Sequence, residues 1–166
     1  MIDRQVERGR QLVSHLNRFA HSPDRIDQKT DLAALVQQVV FLSARFAVLK
    51  EITLWFSPVS QPIELEINQV KLQMAIFAAI TCCLDLLSPG AELKLDVEQQ
   101  DSGIVIRLRC EGKFKQTSPL SETIQKTELW STFRQSLESV GGGFEFLRNA
   151  EGFKLLLPRQ TEGSDF

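Results

Sequence analysis

Hydrophobic residues recur every three to four positions in four stretches of the chain, a spacing typical of helices that bury at least one face. The predicted helices are Ile2–His21, Leu32–Lys50, Asn68–Leu87 and Thr127–Val140. Short runs rich in β-branched and aromatic residues, several alternating with charged ones, predict strands. The predicted strands are Ile52–Phe56, Ile63–Ile67, Ala91–Gln99, Gly103–Cys110, Phe144–Arg148 and Phe153–Leu157. This order predicts an α+β fold, a two-layer α/β sandwich with helices on one face of a mixed, mostly antiparallel sheet, together with an N-terminal helix.

The irregular segments suggest how the chain is divided. Residues 1–23 are predicted to be a pairing helix, 24–30 a polar connector, 31–160 the main domain and 161–166 a loose tail. Asp31 is placed to N-cap the second helix, because its side chain can accept a hydrogen bond from a free backbone amide of the first turn. Glu111–Lys126 has little periodicity and is predicted to be a loop. Gly141–Gly143 is predicted to cap the C-terminus of the preceding helix, with its backbone in the left-handed conformation.

The N-terminal helix carries a heptad seam about three heptads long. Its apolar positions step by four and three residues, and Leu12 and Phe19 widen the stripe. These positions are Ile2, Val6, Gly9, Val13, Leu16 and Ala20. An isolated helix of this length is marginally stable in water, so it must pack on something. Two arrangements stay open, a fold-back onto its own domain and a pairing of two copies. The expected dimer interface comprises Val6, Leu12, Val13, Leu16 and Phe19.

Composition narrows the functional classes. A chain of 166 residues can bury one core of ordinary size. No apolar run approaches the roughly 20 residues of a membrane span, and the polar N-terminus is unlike a signal peptide. The net charge of −2 gives no reason to expect nucleic acid or an anionic membrane as a partner. Three cysteines favour a reducing cytoplasm, and with two histidines they show no metal-ligand spacing, so no metal site is expected.

Three phrases of the sequence, in this order, resemble the bacterial sensor histidine kinases, whose ATP-binding domain belongs to the GHKL superfamily. QVERGRQLVSHLNRFAHSP is similar to the end of the dimerisation hairpin in that family. TDLAALVQQVV is similar to the entry into the ATP-binding domain, and LESVGGGFEFLRNAEGFKLLLPR to its closing helix, glycine corner and final hairpin. The resemblance covers roughly residues 31–159 of the main domain.

The resemblance also implies where a nucleotide site would lie, and the ligand residues are missing there. Active members carry asparagines about four residues apart on the helix that corresponds to Asn68–Leu87, and these coordinate magnesium. The matching positions are Ala78 and Cys82, which offer no side-chain oxygen, although magnesium requires hard oxygen donors. Both are expected to be ordinary buried core residues.

Two glycine-rich boxes of the family are altered as well. At the first, Cys110 replaces the adenine-binding aspartate, Gly112 is retained and Phe114 replaces a glycine. Losing a charged hydrogen bond costs about 1.5–3 kcal/mol, or roughly ten- to a hundredfold in affinity. At the second, Lys126–Trp130 contains no glycine, and Glu128 would repel phosphate. Neither ATP nor magnesium is therefore an expected cofactor, and Cys82 and Cys110 are expected to approach each other in the altered cleft.

The interpretation that follows from this resemblance is a non-catalytic regulatory or docking module of bacterial two-component or phosphorelay signalling, with a degenerate nucleotide site. Its expected partners are a second copy and a response regulator or kinase. One alternative is a histidine phosphotransferase in which His15 receives a phosphoryl group on a dimeric helix bundle. Others are an ATP-binding histidine kinase fragment and a small-molecule sensor whose cleft is lined by Ala78, Cys82, Cys110 and Phe114.

If two copies pair through the seam, Leu16→Glu is expected to convert a dimer into a monomer of 18.8 kDa, because a charge would be buried at the helix contact. Light scattering measures the mass directly. Gln11→Glu on the opposite helix face is the matched control and should leave the dimer intact. A wild-type chain that is already monomeric would exclude the pairing.

Overall fold

The computed structural model describes residues 27–148 and 151–158 of the chain. The predicted helix Ile2–His21, with its seam residues, and the predicted tail lie outside the described residues.

Three long helices and one short helix form the helical layer. They are α1 (Leu32–Leu49), α2 (Gln69–Leu86), α3 (Leu120–Thr123), which a 3-10 turn at Ile124–Lys126 continues, and α4 (Trp130–Ser139). Seven strands accompany them. They are β1 (Gln28–Asp31), β2 (Thr53–Phe56), β3 (Glu64–Ile67), β4 (Glu92–Gln100), β5 (Gly103–Glu111), β6 (Gly143–Phe146) and β7 (Gly152–Pro158).

The two longest helices begin at side-chain caps. The Asp31 carboxylate accepts a hydrogen bond from the Ala34 amide at 3.2 Å, which confirms the predicted N-cap. The Asn68 side chain does the same for α2, accepting from the Lys71 amide at 3.1 Å. At the other end of these helices, the Lys50 ammonium lies 3.0 Å from the Asp85 carboxylate and joins the last turns of α1 and α2. The caps fix where each helix begins, and the ion pair links the two helix ends.

The main sheet has the strand order β2-β4-β5-β7-β6. β2 pairs parallel with β4, and the three remaining neighbours pair antiparallel. Its inward side chains, including Leu95, Ile106 and Leu155, are buried with the helices in one hydrophobic core. The predicted two-layer α+β fold with a mixed, mostly antiparallel sheet is confirmed.

A second sheet was not predicted. The segment predicted as an irregular connector up to Thr30 ends in β1, which pairs antiparallel with β3 in a separate two-stranded sheet. Thr30 is buried there with Leu65 and Ile67, while the alternate residues Lys29 and Glu64 form an ion pair of 3.2 Å on the outside. Because β1 has almost no apolar residues, its strand conformation depends on β3 and cannot be read from hydrophobic alternation alone.

Helix α2 lies at the centre of the helical layer. Twelve of its 18 residues are buried, and it packs against α1 and α4 and against the inward side chains of the sheet. By length and apolar composition, α1 and α2 are both long enough to cross a membrane. Most of α2 is buried in the domain core, and a core helix has the same apolar composition. α1 buries only one face.

The segment Glu111–Lys126, predicted as a loop, contains a structured turn. α3 and the 3-10 turn occupy its second half, and Leu120, Thr123 and Ile124 are buried. The prediction was wrong because α3 and the 3-10 turn are too short to show a helical period over several turns. The predicted glycine C-cap is confirmed, since Gly141 has a left-handed backbone (φ +77°) and its amide donates to the Glu138 carbonyl at 3.0 Å.

The outer face of the sheet carries a ladder of opposite charges. The Asp96 carboxylate lies 2.9 Å from the Arg109 guanidinium and 3.4 Å from that of Arg107, which also pairs with Glu98. Lys94 lies 3.1 Å from Glu111 on the neighbouring strand. Cross-strand pairs of this kind are typical of a sheet face that remains in water.

Gly152 is expected to be essential for pairing between β5 and β7. A Cβ at this position would lie 2.0 Å from the Leu108 carbonyl oxygen, and the backbone has φ +151°. Gly152→Ala should therefore lower the free energy of unfolding by about 3 kcal/mol or more, measured by urea denaturation. Gly143→Ala is the matched control, because no atom lies within 4 Å of a Cβ there. A similar loss in both variants would contradict the steric explanation.

Candidate functional site

The positions that the resemblance assigns to magnesium ligands lie side by side on α2. Ala78 and Cys82 are four residues apart, so they share one face of the helix. Both side chains are fully buried. A ligand to a solvated metal–phosphate complex must be reachable from a cleft, and neither side chain is exposed to solvent.

Cys82 is covered by the segment that precedes α4. Its thiol is within hydrogen-bonding distance of the Thr127 side chain and the Leu129 backbone. Burial raises the pKa of the Cys82 thiol to about 12, although the contact with Thr127 opposes this shift. The sulfur therefore stays a neutral thiol at physiological pH, and the thiolate is the form that binds metals.

The expected approach of Cys82 to Cys110 stays a prediction, and the structure places the neighbouring thiol beside Cys110. Cys83 is the residue that hydrogen-bonds to Cys110, and this bond, together with complete burial, raises the pKa of the Cys83 thiol well above its ordinary value. Successive helix residues point about 100° apart, so α2 directs Cys83 towards β5 and Cys82 towards the start of α4.

Gly112, the one glycine retained from the first box, has a local structural role. Its backbone has φ +111°, and a Cβ would lie 2.9 Å from both carbon atoms Cα and Cβ of Ala91. Glycine is required here by the close approach of the strand that begins at Glu92. The retained residue therefore does not by itself indicate a phosphate-binding loop.

The chain after β5 is hydrogen-bonded to the end of α2. Phe114 forms an isolated antiparallel bridge with Leu87. The Ser88 amide donates to the Lys113 carbonyl at 2.9 Å, and the Lys115 amide donates to the Leu86 carbonyl at 2.9 Å. Phe114 itself is partly buried against the core. These bonds join the segment after β5 to the end of α2.

The turn formed by α3 and its 3-10 extension contributes two further side chains to the core. Leu120 and Ile124 are buried, and the sequence analysis missed both. The available signal was their spacing of four residues directly after Pro119, which is typical of a single amphipathic helical turn. The 3-10 turn leads directly into Thr127, so it positions the segment that covers Cys82.

An aromatic cluster holds the first turn of α4. The Trp130 ring lies 4.9 Å from Phe133, 5.1 Å from Phe144 and 5.8 Å from Phe153, measured between ring centroids. Such contacts are worth about 0.5–1.5 kcal/mol each beyond the area they bury. They fix the start of α4 on the β6–β7 hairpin, so the cover over Cys82 belongs to the folded core.

Two open grooves lie on the described surface, away from these residues. One, of about 450 Å³, lies between the β1–β3 sheet and the start of α2, and it includes Glu66, Asn68 and Lys71. The other, of about 500 Å³, lies between α3 and the β6–β7 hairpin. Ala78, Cys82, Cys110, Gly112 and Phe114 line neither groove.

The donor chemistry at the five positions does not fit a magnesium nucleotide. Magnesium takes oxygen ligands in octahedral geometry, whereas Ala78 offers a methyl group and Cys82 a neutral thiol. Within residues 27–148 and 151–158, no group of three or more His, Cys, Asp or Glu side chains is arranged to hold a metal ion. The candidate phosphoacceptor His15 and the seam residues Val6, Leu12, Val13, Leu16 and Phe19 lie outside the described residues.

Comparison with known proteins identifies the fold. No protein-family model matches the chain, and no curated protein matches it. Among solved structures, it is similar to the nucleotide-free catalytic domain of histidine kinase ThkA, with a TM-score of 0.65, 15% identity and coverage of 80% of this chain and 96% of that one. The Acinetobacter baumannii histidine kinase AdeS matches with a TM-score of 0.63 and 12% identity, over 91% of this chain and 75% of that one.

A third match is histidine kinase ThkA in complex with the response regulator TrrA, with a TM-score of 0.61 and 14% identity. It covers 96% of this chain and 49% of that one. At these identities the similarity establishes the fold. The chain has the fold of a histidine kinase catalytic, ATP-binding domain, as the three phrases of its sequence had suggested.

Alkaline pH is expected to destabilise the domain through its buried thiols. The unfolded chain loses the Cys82 proton near the ordinary pKa of 9.0, while the folded state keeps it up to about 12. The stabilising contribution is thus complete below pH 9.0 and is lost as the pH rises towards 12. The slope is up to about 1.4 kcal/mol per pH unit for each thiol, and Cys83 acts in the same direction.

Urea denaturation at a series of pH values between about 8 and 10.5 measures this slope. Cys82→Ala is expected to be less stable at every pH but to have a shallower alkaline slope. An unchanged slope in that variant would contradict the contribution of Cys82.

Proposed function

We propose that this protein is a non-catalytic regulatory or docking module of two-component signalling, built on the histidine kinase ATP-binding fold. The observation that carries the proposal is the burial of Cys82 beneath Thr127 and Leu129. In this fold, that helix face and the start of the last helix lie on either side of the nucleotide cleft. The contact of Thr127 and Leu129 with Cys82 supports a cleft that is filled by protein.

The chemistry of the side chains at the ligand positions also supports a non-catalytic function. Neither Ala78 nor Cys82 offers an oxygen to magnesium. Because the Cys82 thiol is neutral, it is also a poor ligand for softer metals. At the first glycine box, Cys110 hydrogen-bonds to Cys83 within the core. We therefore propose that ATP and magnesium are not cofactors of this protein.

The sequence of the second glycine box also supports the proposed loss of the nucleotide site. A phosphate-binding loop needs free backbone amides that a ligand can approach closely, which is why such loops are rich in glycine. Here the segment contains Thr127, Glu128 and Leu129, and its backbone at Leu129 faces the Cys82 thiol. These contacts support the proposal that the segment leaves no room for a phosphate.

We infer the partners of this chain from its fold and not from a catalytic residue. The ThkA structure described above contains a response regulator, and we propose a response regulator or a kinase of the same pathway as the partner of this chain. A homodimer formed through the seam at Val13 and Leu16 belongs to the same proposal. Another histidine kinase of this fold, matched with a TM-score of 0.54 and 15% identity, is the cytoplasmic segment of QseC. A cytoplasmic location is proposed here too.

Isothermal titration with magnesium-ATP tests the loss of the nucleotide site. Three independent changes that each lower the ATP affinity at least tenfold would raise a micromolar dissociation constant to about 1 mM or more. No saturable heat is therefore expected at ordinary concentrations. The ThkA catalytic domain, titrated under the same conditions, is the control for the fold. Binding at low micromolar strength would contradict the proposal.

Incubation with a phosphorylated receiver domain separates docking from phosphotransfer. A docking module should bind the receiver and leave its phosphoryl group in place. Acid-labile label on this chain that disappears in His15→Gln would instead assign the histidine phosphotransferase activity. Such a result would contradict the proposed non-catalytic function, while the fold and the proposed loss of nucleotide binding would be unaffected.

A further inference from the structure

The outer face of α1 exposes large apolar side chains to solvent. Phe41 is 80% exposed and Val48 72% exposed, and Leu42 and Leu49 beside them are each a little under half exposed. The opposite face of the helix is buried on α2 and β2. Clustered exposed apolar residues of this size mark a surface that another element covers.

The exposed residues repeat with the spacing of a helix-packing seam. Ala34, Gln38, Phe41, Arg45 and Val48 step by four and three residues, and all are exposed. Leu42 and Leu49 lie directly beside Phe41 and Val48 and widen the stripe. This is the pattern of a helix that receives another helix along its length.

The N-terminal segment has a complementary pattern and a matching length. Its apolar positions occupy a and d of a heptad, with Leu12 and Phe19 at g. Three apolar positions in seven exceed the strict a and d seam of a two-stranded coiled coil and suit a helix with more than one neighbour. As a helix, residues 2–21 would be about 30 Å long, compared with about 27 Å for α1.

The connection allows the two helices to lie together. Residues 28–31 form β1, so six residues, 22–27, separate His21 from the described fold, and an extended chain of that length spans up to about 20 Å. β1 leads directly into α1, so His21 can lie near the start of α1. A helix of about 30 Å that runs antiparallel to α1 from there would cover the Phe41–Leu49 half. A second copy pairing through the seam would use only part of the wide face and leave the rest for α1.

A lipid surface fits this face less well. Helices that lie in a membrane interface are rich in Lys and Arg on their polar side. In α1, Arg45 is the single basic residue among 18, and the side opposite the exposed stripe is buried within the domain. The net charge of −2 adds no attraction to anionic lipid.

We propose that residues 2–21 form a helix that lies along the outer face of α1 in the same chain and covers Phe41, Leu42, Val48 and Leu49. The N-terminal segment then belongs to the domain core rather than to a free arm. This inference does not depend on the loss of nucleotide binding, and a positive ATP titration would leave it unchanged.

Amide hydrogen exchange on the full chain tests the contact. Because an isolated helix of this length is marginal, amides of residues 2–21 are expected to be protected in the wild type only through docking. The double variant Phe41→Glu with Val48→Glu should reduce that protection at least tenfold and leave β4 and β5 unchanged. Both substitutions are at exposed positions, so the domain is expected to remain folded.

Trp55→Glu is the matched control. Trp55 is also a large apolar residue, 51% exposed, but Leu54 and Phe56 face the core, so Trp55 lies on the outer face of the sheet opposite the helices. Protection of residues 2–21 should be the same in Trp55→Glu as in the wild type. It should also be independent of protein concentration down to about 1 μM, which is the behaviour of an intramolecular contact.

Four results would overturn the inference. They are an absence of protection in the wild type, protection that survives the double variant, protection that falls on dilution, and flotation with anionic vesicles that the double variant abolishes. The third would assign the α1 face to a second copy, and the fourth would assign it to a lipid surface.

Discussion

The enclosure of α2 is the constraint on which the rest of the domain depends. Twelve of its 18 residues are buried, among α1, α4 and the sheet. Removing apolar surface from water stabilises the fold by about 25 cal/mol per Å². The same enclosure excludes unpaired polar groups, because burying an amide without partners costs roughly 1–3 kcal/mol. The helix can either bury Ala78 and Cys82 or present polar ligands to a cleft at those positions.

Much of the fold follows from local pattern. The long helices were predictable because their apolar spacing extends over several turns, and Asp31 marked the start of α1 within one residue. The strands β4 and β5 alternate strongly enough to be recognised without their partners. By contrast, β1 has little pattern of its own and is a strand because β3 lies beside it, with Leu65 and Ile67 supplying most of the buried surface.

The candidate site, like the fold, could be predicted from the sequence only in part. Residue types alone reveal that oxygen donors are missing at Ala78 and Cys82, since that judgement needs only ligand chemistry. What covers those positions could not be read from the sequence. It depends on a short turn that carries Ile124 into the core and on an aromatic cluster that positions Trp130. The contact between Cys83 and Cys110 required the rotation of α2 to be known to within one residue.

The cover formed by Thr127 and Leu129 restricts the mutational routes open to such a domain. An asparagine introduced at Cys82 would meet packed protein instead of solvent, and its amide would lack partners. Opening a polar cleft at this position would require changes in the helix, the turn and the start of α4 together. Each single change would lower the stability of the fold before a bound ligand could compensate for it. The packing around Cys82 therefore opposes the stepwise introduction of polar ligands there.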